Sequence, residues 1–217
     1  MIPANIPPLA RLVDSRLYVL VDGRNDERQF RDLVSGLVEA KVDLLQLRDK
    51  RLADRELLQL ARILRQMTRG TPTLFIMNDR PDLAVLADAD GVHVGQEELT
   101  VQEVRQILGP HRLVGVSTHT VLQVRQAIAD GADYIGCGPT FPSITKSFAY
   151  FSGLKFLRQA ASETTLPAYA IGGIQLDNLN QVIESGFQRV AVGAAIVDSA
   201  DPARSVAMFR AALAADD

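Results

Sequence analysis

The stretch LVGVSTHTVLQVRQAIADGADYIGC, residues 113–137, holds one complete unit of the fold. Residues 113–116 and 134–137 are short apolar, β-branched runs, the composition of parallel strands buried on both faces. Between them Thr120 and Gln123 stand at capping-box spacing, and Gly131 closes the helical periodicity. The unit reads strand, helix, strand. Working outward, similar runs occur at 17–21, 42–47, 74–77, 91–94, 168–171 and 189–192, each followed by helical periodicity, which brings the strands to eight. Helix starts are marked by Asp54 ahead of Glu56 and the spaced leucines 57, 58 and 60, by Thr100 with Glu103, and by Asp201 before Pro202. Gly70, Gly109 and Gly186 mark helix ends. Eight β-then-α units without a long unassigned gap predict an α/β protein with one domain, a closed (βα)8 TIM barrel over 17–217, preceded by an N-terminal arm, 1–16, that carries Pro3, Pro7 and Pro8. An open doubly wound sheet fits less well, because Gly136-Cys137-Gly138 begins a dinucleotide-binding pattern that the following residues do not finish.

Composition narrows the function classes. A formal net charge of -3 over 217 residues offers a polyanion no general attraction, so no nucleic-acid partner is expected, although a local basic pocket for a small phosphate remains open. No apolar run approaches the ~20 residues of a membrane span, and none at the start has signal-peptide character. The single cysteine, Cys137, excludes an internal disulfide and fits a reducing compartment, so a cytoplasmic location is expected. Only four of the 23 basic residues are lysines, and two of those, Lys50 and Lys146, fall just beyond strands.

Active sites of (βα)8 enzymes lie at the C-terminal ends of the strands. Those ends carry Gln46, Arg48 and Lys50; Asn78 and Asp79; Gln96, Glu97 and Glu98; Ser117, Thr118 and His119; a segment from Gly138 to Lys146; Gly172 and Gly173; and Gly193 with Ala194 and Ala195. Arg48, Lys50 and Lys146, with the hydroxyls of Ser143 and Thr145, suit a polyphosphate. Asp79 and Glu98, from adjacent strands, can share a hard cation such as Mg2+ with phosphate oxygens completing its shell. Gly172, Gly173 and Gly193 offer backbone N–H groups where the loops after strands 7 and 8 recurrently bind phosphate. Each group also has a plainer reading. Asp79 can cap a helix starting at Pro81, Glu98 can be a solvated carboxylate, and Arg48 and Lys50 can be surface charges. The glycine pair can serve a tight turn, and His93, mid-strand among valines, reads as a packing residue rather than a base. Cys137 reads as a small buried strand residue.

The motifs Leu45-Gln46-Leu47-Arg48-Asp49-Lys50, Asn78-Asp79, Asp90-Gly91-Val92-His93-Val94-Gly95-Gln96, Gly115-Val116-Ser117, Asp133 through Pro139 continuing to Thr145-Lys146, and Ala170-Ile171-Gly172-Gly173-Ile174 resemble the thiamine-phosphate synthase family in order and spacing over nearly the whole chain. That resemblance implies a transferase that condenses 4-amino-2-methyl-5-hydroxymethylpyrimidine diphosphate with a thiazole phosphate, Mg2+-dependent, through a dissociative pyrimidinyl-methyl cation. It implies that Gln46, Arg48, Lys50, Asn78 and Lys146 hold the pyrimidine diphosphate, with Ser117 near the reacting centre and Asp79 and Glu98 on the metal. Lys146, Ser117 and Arg48 would form the catalytic set. Ser143 and Thr145 would bind thiazole phosphate or released diphosphate, and Gly173, Gly193 and Ala194 the thiazole's phosphate. Partners would be these small molecules, with homo-oligomerisation open.

Three departures stand out. Glu98 stands where the family usually has aspartate, Ser143 where it has threonine, and Gly193-Ala194 where a larger residue and serine are common. A related aminothiazole tautomerase has histidine at the position of Pro139 and typically lacks the Gln46, Asp79 and Lys146 set, all present here. A non-catalytic phosphate-binding regulator would keep the strand 7–8 glycines without a metal pair. The segment 139–152 is long for a strand-to-helix connection and carries Phe148, Tyr150 and Phe151, a composition that suits a lid over bound ligands or, equally, a packing surface.

Overall fold

The computed structural model describes residues 6–142 and 151–214. Its strands are β1 (Leu17–Val21), β2 (Leu44–Leu47), β3 (Leu74–Asn78), β4 (Gly91–Val94), β5 (Leu113–Thr118), β6 (Tyr134–Cys137), β7 (Ala168–Ile171) and β8 (Val190–Val192). They pair in parallel in chain order and β8 returns to β1, closing the barrel. The helices among the described residues are α1 (Pro8–Val13), α2 (Glu27–Glu39), α3 (Asp54–Thr68), α4 (Pro81–Leu86), α5 (Val101–Leu108), α6 (Val121–Ala129), α7 (Gly153–Glu163), α8 (Leu179–Ile183), α9 (Ala194–Val197) and α10 (Pro202–Ala214).

The capping signals act as their chemistry requires. Thr100 accepts from the Glu103 N–H while the Glu103 carboxylate returns to the Thr100 N–H, and Thr120 accepts from the Gln123 N–H. Asp201 accepts from the Arg204 N–H at the head of α10. Helix α3 begins at Asp54, and the Glu56 carboxylate closes on the backbone of Ala53.

Two apolar layers result. The outer one, between strands and helices, takes the strand residues that face outward, such as Val19, Leu45, Phe75, Val92, Val114 and Ile135. The inner one fills the barrel with Tyr18, Leu44, Leu74, Ile76, Leu113, Tyr134, Tyr169 and Ala191. The three tyrosine rings meet edge to face at centroid distances of 5.4 to 6.0 Å, so large side chains rather than water occupy the lower interior. In the segment ahead of β1, α1 brings Leu12 into this inner layer, and Ser15 hydrogen-bonds the Tyr169 hydroxyl. The helix thus plugs the end of the barrel opposite the strand C-termini.

A repeated device staples that lower end. Asp43, Asp90 and Asp133, each just before an even-numbered strand, accept a backbone N–H from the preceding strand: Leu17 at 2.9 Å, Phe75 at 2.8 Å and Val114 at 2.7 Å. Each carboxylate also pairs with arginine: Asp43 with Arg210, Asp90 with both Arg11 and Arg65, Asp133 with Arg105. Around Asp90 the charges are largely removed from water, the side-chain exposures being 10% for Asp90, 17% for Arg11 and 13% for Arg65. Asp90→Ala would leave two buried guanidinium groups and a strand N–H without their acceptor. The expected result is a loss of about 3 kcal/mol of stability, the scale for breaking a buried pair. A thermal melt should shift down by roughly 6–12 °C for a domain of this size. A shift under about 2 °C would show that water replaces the carboxylate at little cost.

Candidate functional site

At the C-terminal ends of β2, β3 and β4 the chain gathers opposite charges. Lys50 lies just beyond β2, Asp79 follows β3, and Glu98 follows the Gly95 turn after β4. The Lys50 Nζ sits 3.3 Å from Asp79 Oδ2 and 3.9 Å from Glu98 Oε1, so one ammonium is shared by both carboxylates. Two structural details aim these carboxylates. Asp79 adopts φ +58°, a left-handed conformation tolerated mainly by Asp and Asn outside glycine, and its N–H donates to the His93 carbonyl at 2.9 Å. Glu98 folds back over Gly95 so closely that a Cβ there would lie 2.3 Å from its carboxylate oxygen. Asp79 caps no helix: the residue before α4 is Arg80, which makes no side-chain cap bond.

Could this pair hold a metal? No group of three or more His, Cys, Asp or Glu side chains is arranged as a metal site among the described residues. A cation already spans Asp79 and Glu98, however, in the form of the lysine ammonium. Two anionic oxygens from neighbouring strands fit Mg2+, which takes few protein carboxylates and completes its octahedron with water and phosphate oxygens.

Beside the carboxylates stand polar groups with spare capacity. Arg48 is half-buried, and its guanidinium has no hydrogen bond or ion pair among the described residues; its backbone N–H is held by the Val21 carbonyl at 2.8 Å. A half-buried cation with no partner among them is suited to receive an anion. Asn78 ends β3, paired in register with His93. Asp49, between Arg48 and Lys50, points the other way. The Arg51 guanidinium, together with the N–H groups of Arg51 and Gly23, holds its carboxyl well below the usual carboxylate range against the opposing effect of burial. It organises the loop and leaves its neighbours to face the mouth.

Deeper in the barrel, Gln46 is buried and donates from Nε2 to the Tyr18 hydroxyl at 2.5 Å. Ser117, near the end of β5, bonds through Oγ to His93 Nε2 at 2.9 Å, and its carbonyl accepts from Gln96 Nε2 at 2.6 Å. From the sequence His93 is expected to be a packing residue. It is buried in the interior as a packing residue would be, but its second ring nitrogen also meets the Tyr134 hydroxyl at 3.3 Å. Burial pushes its pKa down to about 4, with the Asp79 charge opposing, so the ring is neutral near pH 7. Cys137 is buried beside Thr118, and burial pushes its thiol up to about 12, which leaves it inert as a nucleophile. His119 bonds through Nδ1 to the Gly138 carbonyl at 2.6 Å and has no acid–base partner among the described side chains.

Across the mouth lies the β6–β7–β8 rim. After β6 the chain runs beside β7: the N–H groups of Thr140 and Phe141 donate to the carbonyls of Ile171 and Gly172 at 2.9 and 3.0 Å. That approach explains the glycine pair. A Cβ on Gly172 would lie 2.8 Å from Pro139, and one on Gly173, at φ +65°, would lie 2.7 Å from the carbonyls of Phe141 and Pro142. The N–H groups of Gly173, Ala194 and Ala195 have no acceptor among the described residues, the last two heading α9 behind Gly193. Ser143, Thr145 and Lys146 lie outside the described residues, as do Phe148 and Tyr150.

The chain is similar to a set of known proteins. A family profile described as thiamine monophosphate synthase matches residues 17–196. The chain is 48% identical over 191 residues to a thiamine-phosphate synthase of Rhodopirellula baltica, an alignment covering 86% of this chain and 51% of that protein. It is 41% identical over 208 residues to a thiamine-phosphate synthase of Acidothermus cellulolyticus, covering 95% of this chain and 98% of that protein. A solved thiamine phosphate pyrophosphorylase from Pyrococcus furiosus, 31% identical, superposes with a TM-score of 0.82 over 94% of this chain and 96% of its own. The chain spans about half the length of several curated relatives it matches.

Proposed function

Because the chain belongs to the thiamine monophosphate synthase family, we propose that it condenses 4-amino-2-methyl-5-hydroxymethylpyrimidine diphosphate with a thiazole phosphate, forming thiamine phosphate and releasing diphosphate. The observation that carries this reading is the shared placement of Lys50 between Asp79 and Glu98, near Arg48, whose guanidinium has no partner among the described residues. In the reaction the bond between the pyrimidine methylene carbon and the diphosphate oxygen breaks, its electron pair leaving with the oxygen. The thiazole nitrogen then donates its lone pair to the resulting carbocation.

Asp79 and Glu98 would hold Mg2+, which when bound neutralises diphosphate charge and favours its departure. Arg48 and Lys50 would bind the diphosphate oxygens, with Lys50 turning from the carboxylates to the substrate. Asn78, Gln46 and Ser117 would fix the pyrimidine end, and Ser143, Thr145 and Lys146 would meet the leaving group from the loop after β6. Gly173, Gly193 and Ala194 would receive the thiazole's phosphate, with the N–H groups of Gly173 and Ala194 as donors. No strong base is required, so the neutral His93 and inert Cys137 are compatible with this chemistry. The lone, buried Cys137 also fits work in the cytoplasm. No described helix is long and apolar enough to cross a membrane.

The test is to mix both substrates with Mg2+ and follow thiamine phosphate and diphosphate. Equimolar appearance of the two supports the reading. Isomerisation of an aminothiazole instead, or phosphate binding without turnover, would replace it with an isomerase or a regulator. A finer test uses Gly95→Ala. Its Cβ would overlap the Glu98 carboxylate, the movable end of a side chain, so the carboxylate should shift while the fold holds. The Mg2+ concentration for half-maximal rate is expected to rise about ten-fold, the lower end of the range for disturbing a ligand's support. An unchanged Mg2+ requirement would remove Glu98 from the metal site.

A further inference from the structure

A single line of hydrogen bonds crosses the barrel beneath the mouth, joining two residues assigned above to the substrate. Gln46 Nε2 meets the Tyr18 hydroxyl at 2.5 Å, Tyr18 meets the Tyr134 hydroxyl at 3.2 Å, Tyr134 meets His93 Nδ1 at 3.3 Å, and His93 Nε2 meets Ser117 Oγ at 2.9 Å. Every member between the ends is buried, in a layer otherwise apolar. Room for it comes from two interior glycines. A Cβ on Gly115 would lie 2.1 Å from the Tyr134 ring, and one on Gly136 would press on the His93 ring at 3.3 Å. The tyrosine and histidine rings therefore occupy volume that neighbouring strands leave open for them.

We propose that Tyr134 is a positioning residue that acts through His93 on Ser117, and that the line is polarised so that Ser117 offers its own proton to the substrate. The inference rests on the proposed function. Polarity follows from proton counting, starting at the amide. The Gln46 nitrogen can only donate, so Tyr18 accepts there and spends its one proton on Tyr134. Tyr134 in turn donates to His93 Nδ1, which must then be unprotonated. The neutral ring carries its proton on Nε2 and donates it to Ser117 Oγ. With that lone pair engaged, and no other side-chain partner for Ser117 among the described residues, the hydroxyl proton points to the mouth. The Ser117 carbonyl, tied to Gln96, fixes the backbone that carries it. Ser117 is thus presented as a donor of fixed direction rather than a free rotor. Tyr134 and His93 touch neither phosphate nor metal in this scheme.

The experiment is a double-mutant cycle on the intact chain with Tyr134→Phe, Ser117→Ala and both together. Tyr134→Phe keeps the ring that fills the space over Gly115 and removes only the hydroxyl. It is expected to lower kcat on the order of ten-fold, the scale of one hydrogen bond's contribution, with KM for the pyrimidine diphosphate little changed. In the Ser117→Ala background the same change should cost less than about two-fold. A full loss in both backgrounds would make Tyr134 merely structural, and no loss in either would end the proposal. A second measurement needs no activity: 15N NMR of labelled histidine should find His93 as the Nε2–H tautomer. An Nδ1–H tautomer would overturn the polarity whether or not the variants fold. If the native chain makes no thiamine phosphate, the functional reading fails on its own, and the tautomer still decides the direction of the line.

Discussion

Asp79→Asn is expected to lower turnover at saturating Mg2+ by on the order of 10²- to 10³-fold, the scale for removing one electrostatic stabiliser. Its melting temperature should stay within about 2 °C, since the amide has nearly the carboxylate's shape and the Lys50 partner it releases is itself mostly exposed to water. The two halves of this expectation have separate causes. Asparagine accepts the left-handed backbone that Asp79 adopts and keeps the N–H bond to His93, so the turn after β3 survives. What disappears is one of the two anionic oxygens that now share the Lys50 ammonium. Mg2+ prefers anionic oxygen, and in the proposed site a neutral amide would leave Glu98 alone of the pair to supply one. Steady-state rates across a Mg2+ series, with a melt on the same preparations, check both halves. Undiminished turnover at saturating Mg2+ would show that Asp79 holds no metal. A collapse in melting temperature would make its role structural.

Lys146→Ala carries the second large effect: a fall in kcat on the order of 10²-fold, with KM for the thiazole phosphate nearly unchanged. The lysine itself lies outside the described residues, but the chain on both sides of its segment is pinned at the mouth. On one side Thr140 and Phe141 bond to Ile171 and Gly172; on the other Ser152 donates to the carbonyls of His119 and Gly138 at 3.0 and 3.1 Å. The described anchors themselves stand on the β6 side of the mouth, across from Arg48 and Lys50 beyond β2. In the proposed reaction the lysine's interaction would strengthen as the diphosphate leaves and gains charge, and a contact made in the transition state more than in the ground state acts on kcat. A rise in KM with kcat intact would mean that Lys146 only binds the substrate.

Much of the barrel was legible because its signals are local. The apolar runs, Thr100 with Glu103 and Thr120 with Gln123 act within a few residues of one another, and each forms the element it marks. Strand ends depart from the apolar runs where polarity and pairing disagree. The run at 113–116 extends as β5 to Thr118, because Ser117 and Thr118 pair with Gly136 and Cys137 although neither is apolar. The run at 42–47 begins as β2 only at Leu44, since Asp43 turns its carboxylate to the backbone of Arg16 and Leu17. Within the proline-rich arm, Pro8 opens α1, a position where the missing N–H costs nothing.

At the site, the crowding of Lys50, Asp79 and Glu98 on one rim followed from strand ends alone. That the lysine sits between the two carboxylates did not, because its position depends on a left-handed Asp79 and a Glu98 folded over Gly95. His93 was the larger omission. Its place in the interior follows from strand alternation, but its partners are 24 and 41 residues away in sequence, and only barrel closure brings them together.

The two phosphate groups are expected to divide across the mouth, the diphosphate with its metal at β2–β4 and the monophosphate at β7–β8. Anomalous scattering from crystals grown with Mn2+ in place of Mg2+, together with diphosphate, tests it most directly. The expected peak lies about 2.1 Å from oxygens of both Asp79 and Glu98, with diphosphate on its open side against Arg48 and Lys50. A metal and diphosphate lodged instead at Gly173 and Ala194, with Asp79 and Glu98 still closed on Lys50, would contradict it.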